Sequence, residues 1–81
     1  MKFPTQTQRL WISWEKRSSG KSVTLIHGFT LTKTLMEVVA QEIKKGFGTG
    51  GTVRNGGVIE IQGDQRIRLK PWLNQNGFEV R

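Results

Sequence analysis

The chain has no cysteine and only one histidine among its 81 residues. The first absence excludes disulfides and thiolate metal sites. The second leaves His27 without a partner imidazole, and no nucleophile–base pair is visible around it, so His27 reads as a structural residue at a strand end. No metal and no cofactor are expected. Long apolar runs are also missing. Nothing approaches the length of a membrane helix, and the amino terminus lacks an apolar signal core, so a cytoplasmic protein with no membrane role is the expectation. Acidic residues are scarce, six against thirteen lysines and arginines. Glu60 and Asp64 are the nearest approach to paired carboxylates. Each has another use, Asp64 as a helix N-cap and Glu60 as a partner for cross-strand basic groups. No active site is visible, and the chain does not read as an enzyme.

What is present is positive charge. The formal net charge of +7 favours a polyanionic partner, nucleic acid first and an anionic membrane second. A chain this short is read as one domain, residues 9–81, behind a loose, polar, proline-interrupted tail at residues 1–8. Its radius of gyration should be about 12 Å. It should bury only about 60% of its extended-chain surface, which implies modest stability.

Period-two and period-3.6 patterns divide the chain cleanly. Leu10 to Trp14 alternates, with Leu10, Ile12 and Trp14 on one face, and Val23 to His27 is a second β-rich run. Between them the basic segment Glu15 to Lys21 reads as the tip of a β-hairpin. Trp11 faces away from Trp14, so one of the two should be partly exposed, where an indole could stack on a base. The simpler alternative has both rings covering a small core. A helix is predicted from about Thr32 to Lys45, with Met36, Val39, Ala40 and Ile43 as its apolar stripe. Lys44 and Lys45 complement its negative end, and Gly46 is predicted to terminate it in a left-handed conformation. Thr52–Arg54 and Val58–Gln62 flank the turn signal Asn55-Gly56-Gly57. A second helix should start at Asp64 and end by Asn76-Gly77, with Leu69, Trp72 and Leu73 supplying core contacts. Pro71 lies too deep in it for the first turn and should kink or shorten it. Phe78 and Val80 share a face of a last short strand. The order ββαββαβ predicts an α+β two-layer sandwich, a mixed β-sheet with two helices packed on one face.

Two sequence matches carry no chemistry. Gly46 to Gly51 spells the dinucleotide-binding pattern of glycines, but a helix precedes it and a strand follows, the reverse of what pyrophosphate binding needs. Gly20-Lys21-Ser22 mimics the end of a phosphate-binding loop, yet Glu15 stands where its first glycine belongs and a strand follows.

Candidate RNA-binding residues fall into three basic clusters. The hairpin tip offers Lys16, Arg17 and Lys21. The first helix offers Lys33, Lys44 and Lys45. The second helix offers Arg66, Arg68 and Lys70, with Arg54 on a strand expected to lie nearby. Each also has a plain reading as solvated surface, and Arg66 has a specific one: it could brace Asp64.

The segment Ile59-Glu60-Ile61-Gln62-Gly63-Asp64-Gln65-Arg66 resembles the signature of the eukaryotic translation initiation factor one family (the SUI-type fold), whose short bacterial members include the YciH-type proteins. Val23 to Phe29 resembles the family's first core strand, and Lys44 to Val53 its helix-to-strand loop. With Gly77-Phe78, the similarity covers roughly residues 10 to 81. The resemblance implies a factor that binds small-subunit rRNA near the peptidyl site and promotes fidelity in start-codon and initiator tRNA selection. The small ribosomal subunit is the implied partner, and a monomer is expected. It places the basic hairpin tip near the decoding centre and the loop Gly48, Thr49, Gly50, Gly51 and Thr52 on the initiator tRNA side. Fold does not fix function, and a general RNA-binding or stress-related translation regulator on the same fold is the main alternative; a protein-interaction module docking through a sheet edge or Trp11 is a third.

Overall fold

The computed structural model describes residues 9–81. The expected tail at residues 1–8 lies outside that range. The elements run β1 (Arg9–Lys16), β2 (Ser22–His27), α1 (Lys33–Phe47), β3 (Gly51–Arg54), β4 (Val58–Gln62), α2 (Arg66–Gln75) and β5 (Glu79–Val80), the predicted ββαββαβ order. The five strands form one sheet in the order β3-β4-β2-β1-β5. All neighbours are antiparallel except β1 and β5, which are parallel, so the sheet is mixed. The radius of gyration is 11.7 Å.

Strand alternation decides which face is covered. Leu10, Ile26, Ile59 and Ile61 share one face and join Met36, Val39, Ala40 and Ile43 of α1 and Leu69 and Leu73 of α2 in a single apolar core, with Phe29 and Phe78. Phe29 and Phe78 meet edge to face, centroids 5.7 Å apart, an arrangement that suits ring quadrupoles. α1 lies over β3 and β4, and α2 over β1 and β5. Among the described residues no helix covers the other face of the sheet.

Helix α1 begins as the sequence suggests. The Thr32 hydroxyl accepts the Leu35 N–H at 3.2 Å, satisfying an otherwise orphan donor. Its end differs from the expectation. Gly46 stays helical, and Gly48, at φ 65° and ψ 37°, is the left-handed residue. Two more helical residues bring Phe47 against Trp72, edge to face at 6.3 Å, so burial of an aromatic extends the helix past the first glycine to the second.

Helix α2 starts at Arg66 rather than Asp64, and Asp64 is not its N-cap. The Gln65 N–H is taken at 2.8 Å by the hydroxyl of Thr24, which ties residue 65 to the sheet and holds it out of the helix. Pro71 neither interrupts nor ends α2, which continues to Gln75. Its missing N–H leaves the Ile67 carbonyl without a helical partner, and because Ile67 is 90% exposed, water can bond that oxygen instead. After α2, Gly77 at φ 90° turns the chain so that the Phe78 N–H returns to the Leu73 carbonyl at 3.0 Å.

Candidate nucleic-acid interface

One end of the sheet gathers five separate segments: the hairpin tip, the start of β2, the end of α1 with its glycine loop, the turn after β4, and the start of α2. Hydrogen bonds join them in series. The Gly63 N–H donates to the Ser22 carbonyl at 2.8 Å, and the Thr24 hydroxyl donates to the Gly63 carbonyl at 2.7 Å while accepting the Gln65 N–H. Thr24 is wholly buried, and both of its bonds clamp the turn to β2. On the other side the Gln62 N–H donates to the Gly50 carbonyl at 3.0 Å, and the Thr49 hydroxyl reaches the Gln62 carbonyl at 3.3 Å. The Thr49 N–H closes back on the Lys44 carbonyl at the end of α1. Gly51 allows this close approach, since a side chain there would press on the Glu60 carbonyl and the Ile61 side chain. The segment Thr49 to Thr52 is thus laid along the end of β4, Glu60 to Gln62.

The cations on this end differ in how they are held. Arg66 chelates Asp64 through two bonds, 2.8 and 2.7 Å, and its guanidinium carbon lies 4.9 Å over the Trp14 ring. The arginine beside it holds the Asp64 carboxyl below its usual value, and the carboxylate raises Arg66 in return. Arg68 lies 4.5 Å over the Phe47 ring and donates to the Gln65 side chain at 3.3 Å. Lys16, Lys21, Lys44 and Lys45 form no ion pair among the described residues. Six cations therefore belong to the segments of this end: Lys16, Lys21, Lys44, Lys45, Arg66 and Arg68.

The fold breaks up the clusters read from the sequence. Arg17 leaves the hairpin tip and folds back over the helix-free face, donating to Glu60 Oε1 at 2.8 Å. Arg54 reaches the same oxygen at 3.2 Å through its terminal nitrogen. Glu60 is only 6% exposed, and this bidirectional pairing is what makes a carboxylate tolerable there. Arg54 is also far from α2, because β3 and β5 occupy opposite edges of the sheet. Lys33 and Lys45 are separated by about 18 Å along α1, so the first helix carries no single cluster. Lys33 instead borders a shallow depression of about 250 Å³ with Arg54, Asn55 and Gly56 at the far end of the molecule. Lys70 is exposed further along α2.

Sequence reasoning missed Thr24 and Ser22 as supports of the turn. A signal for Thr24 existed: it shares the inward parity of Ile26, and a hydroxyl at an inward strand position demands internal partners. Both tryptophans are exposed, Trp11 at 46% and Trp14 at 39%, whereas only one was expected to be. Among the described residues no group of His, Cys, Asp and Glu could hold a metal, and no helix is long and apolar enough to cross a membrane.

These observations define a class of small α+β sandwich with a basic end clamped around a Gly-Asp turn. The sequence comparisons narrow that class. The profile of the family described as translation initiation factor SUI1 matches residues 6–79. A protein translation factor SUI1 homolog of Thermoplasma volcanium is 41% identical over 78 residues, covering 96% of this chain and 78% of the relative. One from Ignicoccus hospitalis is 42% identical over 73 residues, covering 90% and 69%. An uncharacterized protein of Haemophilus influenzae is 43% identical over 70 residues, covering 83% and 65%. The chain belongs to the SUI1 translation initiation factor family and is one of its short prokaryotic-type members.

Proposed function

We propose that the protein is a non-enzymatic initiation factor that binds small-subunit rRNA near the peptidyl site and promotes release of complexes in which initiator tRNA is mispaired with the start codon. It would act in the cytoplasm as a monomer. The observation that supports this reading is that Lys16, Lys21, Lys44, Lys45, Arg66 and Arg68 all belong to segments at one hydrogen-bonded end of a chain of this family. Cations on short, clamped turns suit contact with phosphates of folded RNA, whose shape and backbone are more accessible than its base edges. The loop Gly48 to Thr52 borders the same end and is the part that resembles the family's initiator tRNA side. Selection would come from crowding: a mispaired complex tolerates a basic body in its space less well than a paired one does.

Cosedimentation with purified small subunits tests the reading. If each of the six cations neutralises one phosphate, the logarithm of affinity falls with the logarithm of salt at a slope of about −4 to −5. Toeprinting should show faster loss of complexes on near-cognate start codons when the protein is added. Absence of cosedimentation at both low and moderate salt, or equal affinity for arbitrary structured RNA, overturns it.

A further inference from the structure

The helix-free face of the sheet carries a second arrangement that the basic end does not use. Trp11 of β1 lies flat on His27 of β2, its register partner, with centroids 5.1 Å apart and planes 5° from parallel. His27 is itself fixed by Ser13, whose hydroxyl lies 2.8 Å from Nε2. Gly28 makes room for the indole, since a Cβ there would stand 3.0 Å from the ring edge. The ring is thereby oriented from two sides, yet 46% of Trp11 remains exposed.

We propose that this stack is a platform for one unpaired nucleobase of single-stranded RNA. An apolar protein partner would need a contiguous apolar patch. Across from Trp11 the helix-free face offers instead Ser13, Thr52, Glu60 and the two arginines on it, with Leu25 and Val58 only partly exposed and Val23 buried. A flat π surface with polar neighbours, and with cations further across the same face, matches a base with the phosphate of a nearby nucleotide. Arg54 supplies the cation: it pairs with Val58 on this same face, and its side chain is 56% exposed although bound to Glu60. Three strand spacings separate β1 from β3, about 14 Å, a distance a short oligonucleotide spans. The proposal stands apart from the initiation reading, because its probe is free RNA and needs no ribosome.

The test uses oligoadenylate and oligouridylate decamers with the full chain. Oligoadenylate should bind more tightly, purines being the better stackers. Trp11→Ala should lower its affinity about tenfold, by the same factor at low and moderate salt, because stacking releases no counterions. Trp11→Phe should retain most of the affinity. In a Trp14→Phe background, which removes the exposed tryptophan of the basic end, fluorescence should be quenched by the oligonucleotide, and that quenching should vanish when Trp11→Phe is added. An affinity of Trp11→Ala within twofold of wild type overturns the proposal. Should Trp11→Ala fail to fold, quenching that persists after Trp11→Phe is added to the Trp14→Phe background overturns it equally.

Discussion

The two ends of the sheet are built from like parts, glycine turns between short strands with basic side chains about them, but they are stabilised in opposite ways. At the signature end the backbone is clamped by hydrogen bonds through Thr24 and Thr49, and the lysines around it are left without carboxylates. At the far end the backbone is closed by direct approach: the Phe29 N–H meets the Gly57 carbonyl at 3.1 Å, and a Cβ on Gly57 would overlap the Phe29 carbonyl oxygen. The arginine nearest that end, Arg54, is held by Glu60. One end is thus shaped by polar side chains and keeps its cations available. The other is shaped by glycine and ties Arg54 down, while Lys33 beside it stays exposed and forms no ion pair among the described residues.

Substitutions at the glycines should separate the two modes most widely. Gly48 and Gly57 both lie in the left-handed region, at φ 65° and 74°, but only Gly57 has backbone in the way of a side chain. Gly48→Ala should cost about 1 kcal/mol, the intrinsic penalty of the conformation. Gly57→Ala should add a collision with the Phe29 carbonyl and cost about 3 kcal/mol or more. Chemical denaturation of the two variants checks this, and equal costs would mean that the far end adjusts freely. Thr24→Val is the matching break at the signature end. It keeps the side-chain volume but strips both bonds from the buried hydroxyl, leaving the Gln65 N–H and the Gly63 carbonyl unpaired, at about 1–3 kcal/mol. RNA affinity should fall with it, since the turn that carries Arg66 loses its anchor. Stability lost with RNA affinity unchanged would separate the clamp from binding.

The contrast between the ends also marks what the chain reveals before folding. The stripe Met36, Val39, Ala40 and Ile43 was legible because helical period is a local property, and each of those residues is buried. The strands were legible from alternation, and the second hairpin from Asn55-Gly56-Gly57. The helix ends were misread where a tertiary contact overrode the local signal. Phe47 against Trp72 carries α1 past Gly46, and Thr24 holds Gln65 out of α2. The grouping of cations was the least legible part. It depends on strand order, and nothing local to Arg54 announces that β3 lies at the edge opposite β5. Pairing of Glu60 with cross-strand arginines was foreseeable. That it would draw Arg17 off the hairpin tip required the hairpin's path over the sheet.

Glu60 allows the difference in charge availability to be reversed. In Glu60→Gln the carboxylate is gone and Arg17 and Arg54 lose their shared partner. The side chains of Arg17 and Arg54 are 45% and 56% exposed, so they rehydrate, and the cost should be about 1–2 kcal/mol rather than the larger figure for a fully buried pair. Binding should move the other way. A released Arg17 restores a cation to the tip, so RNA affinity should rise and the salt slope steepen by about 0.7–0.9 for each phosphate it meets. Superimposed slopes for wild type and variant would show that Arg17 does not reach RNA once freed.

The smallest effect belongs to the ion pair of Asp64 with Arg66 at the signature end. The carboxyl is held below its ordinary value of 3.8, chiefly by the side-chain bonds from Arg66. A lowered carboxyl favours the folded chain above the ordinary value and loses that advantage as pH falls through the lowered one. Wild type should therefore exceed Asp64→Asn in stability at neutral pH, and the difference should shrink to nothing as the pH drops below the ordinary carboxyl range. Both groups are well exposed, at 45% and 51%, so salt should erode the same difference at pH 7. Urea midpoints of the two chains between pH 2 and 7, at low and high salt, measure it. A difference independent of both pH and salt would mean that the charge of Asp64 has no part in holding the turn.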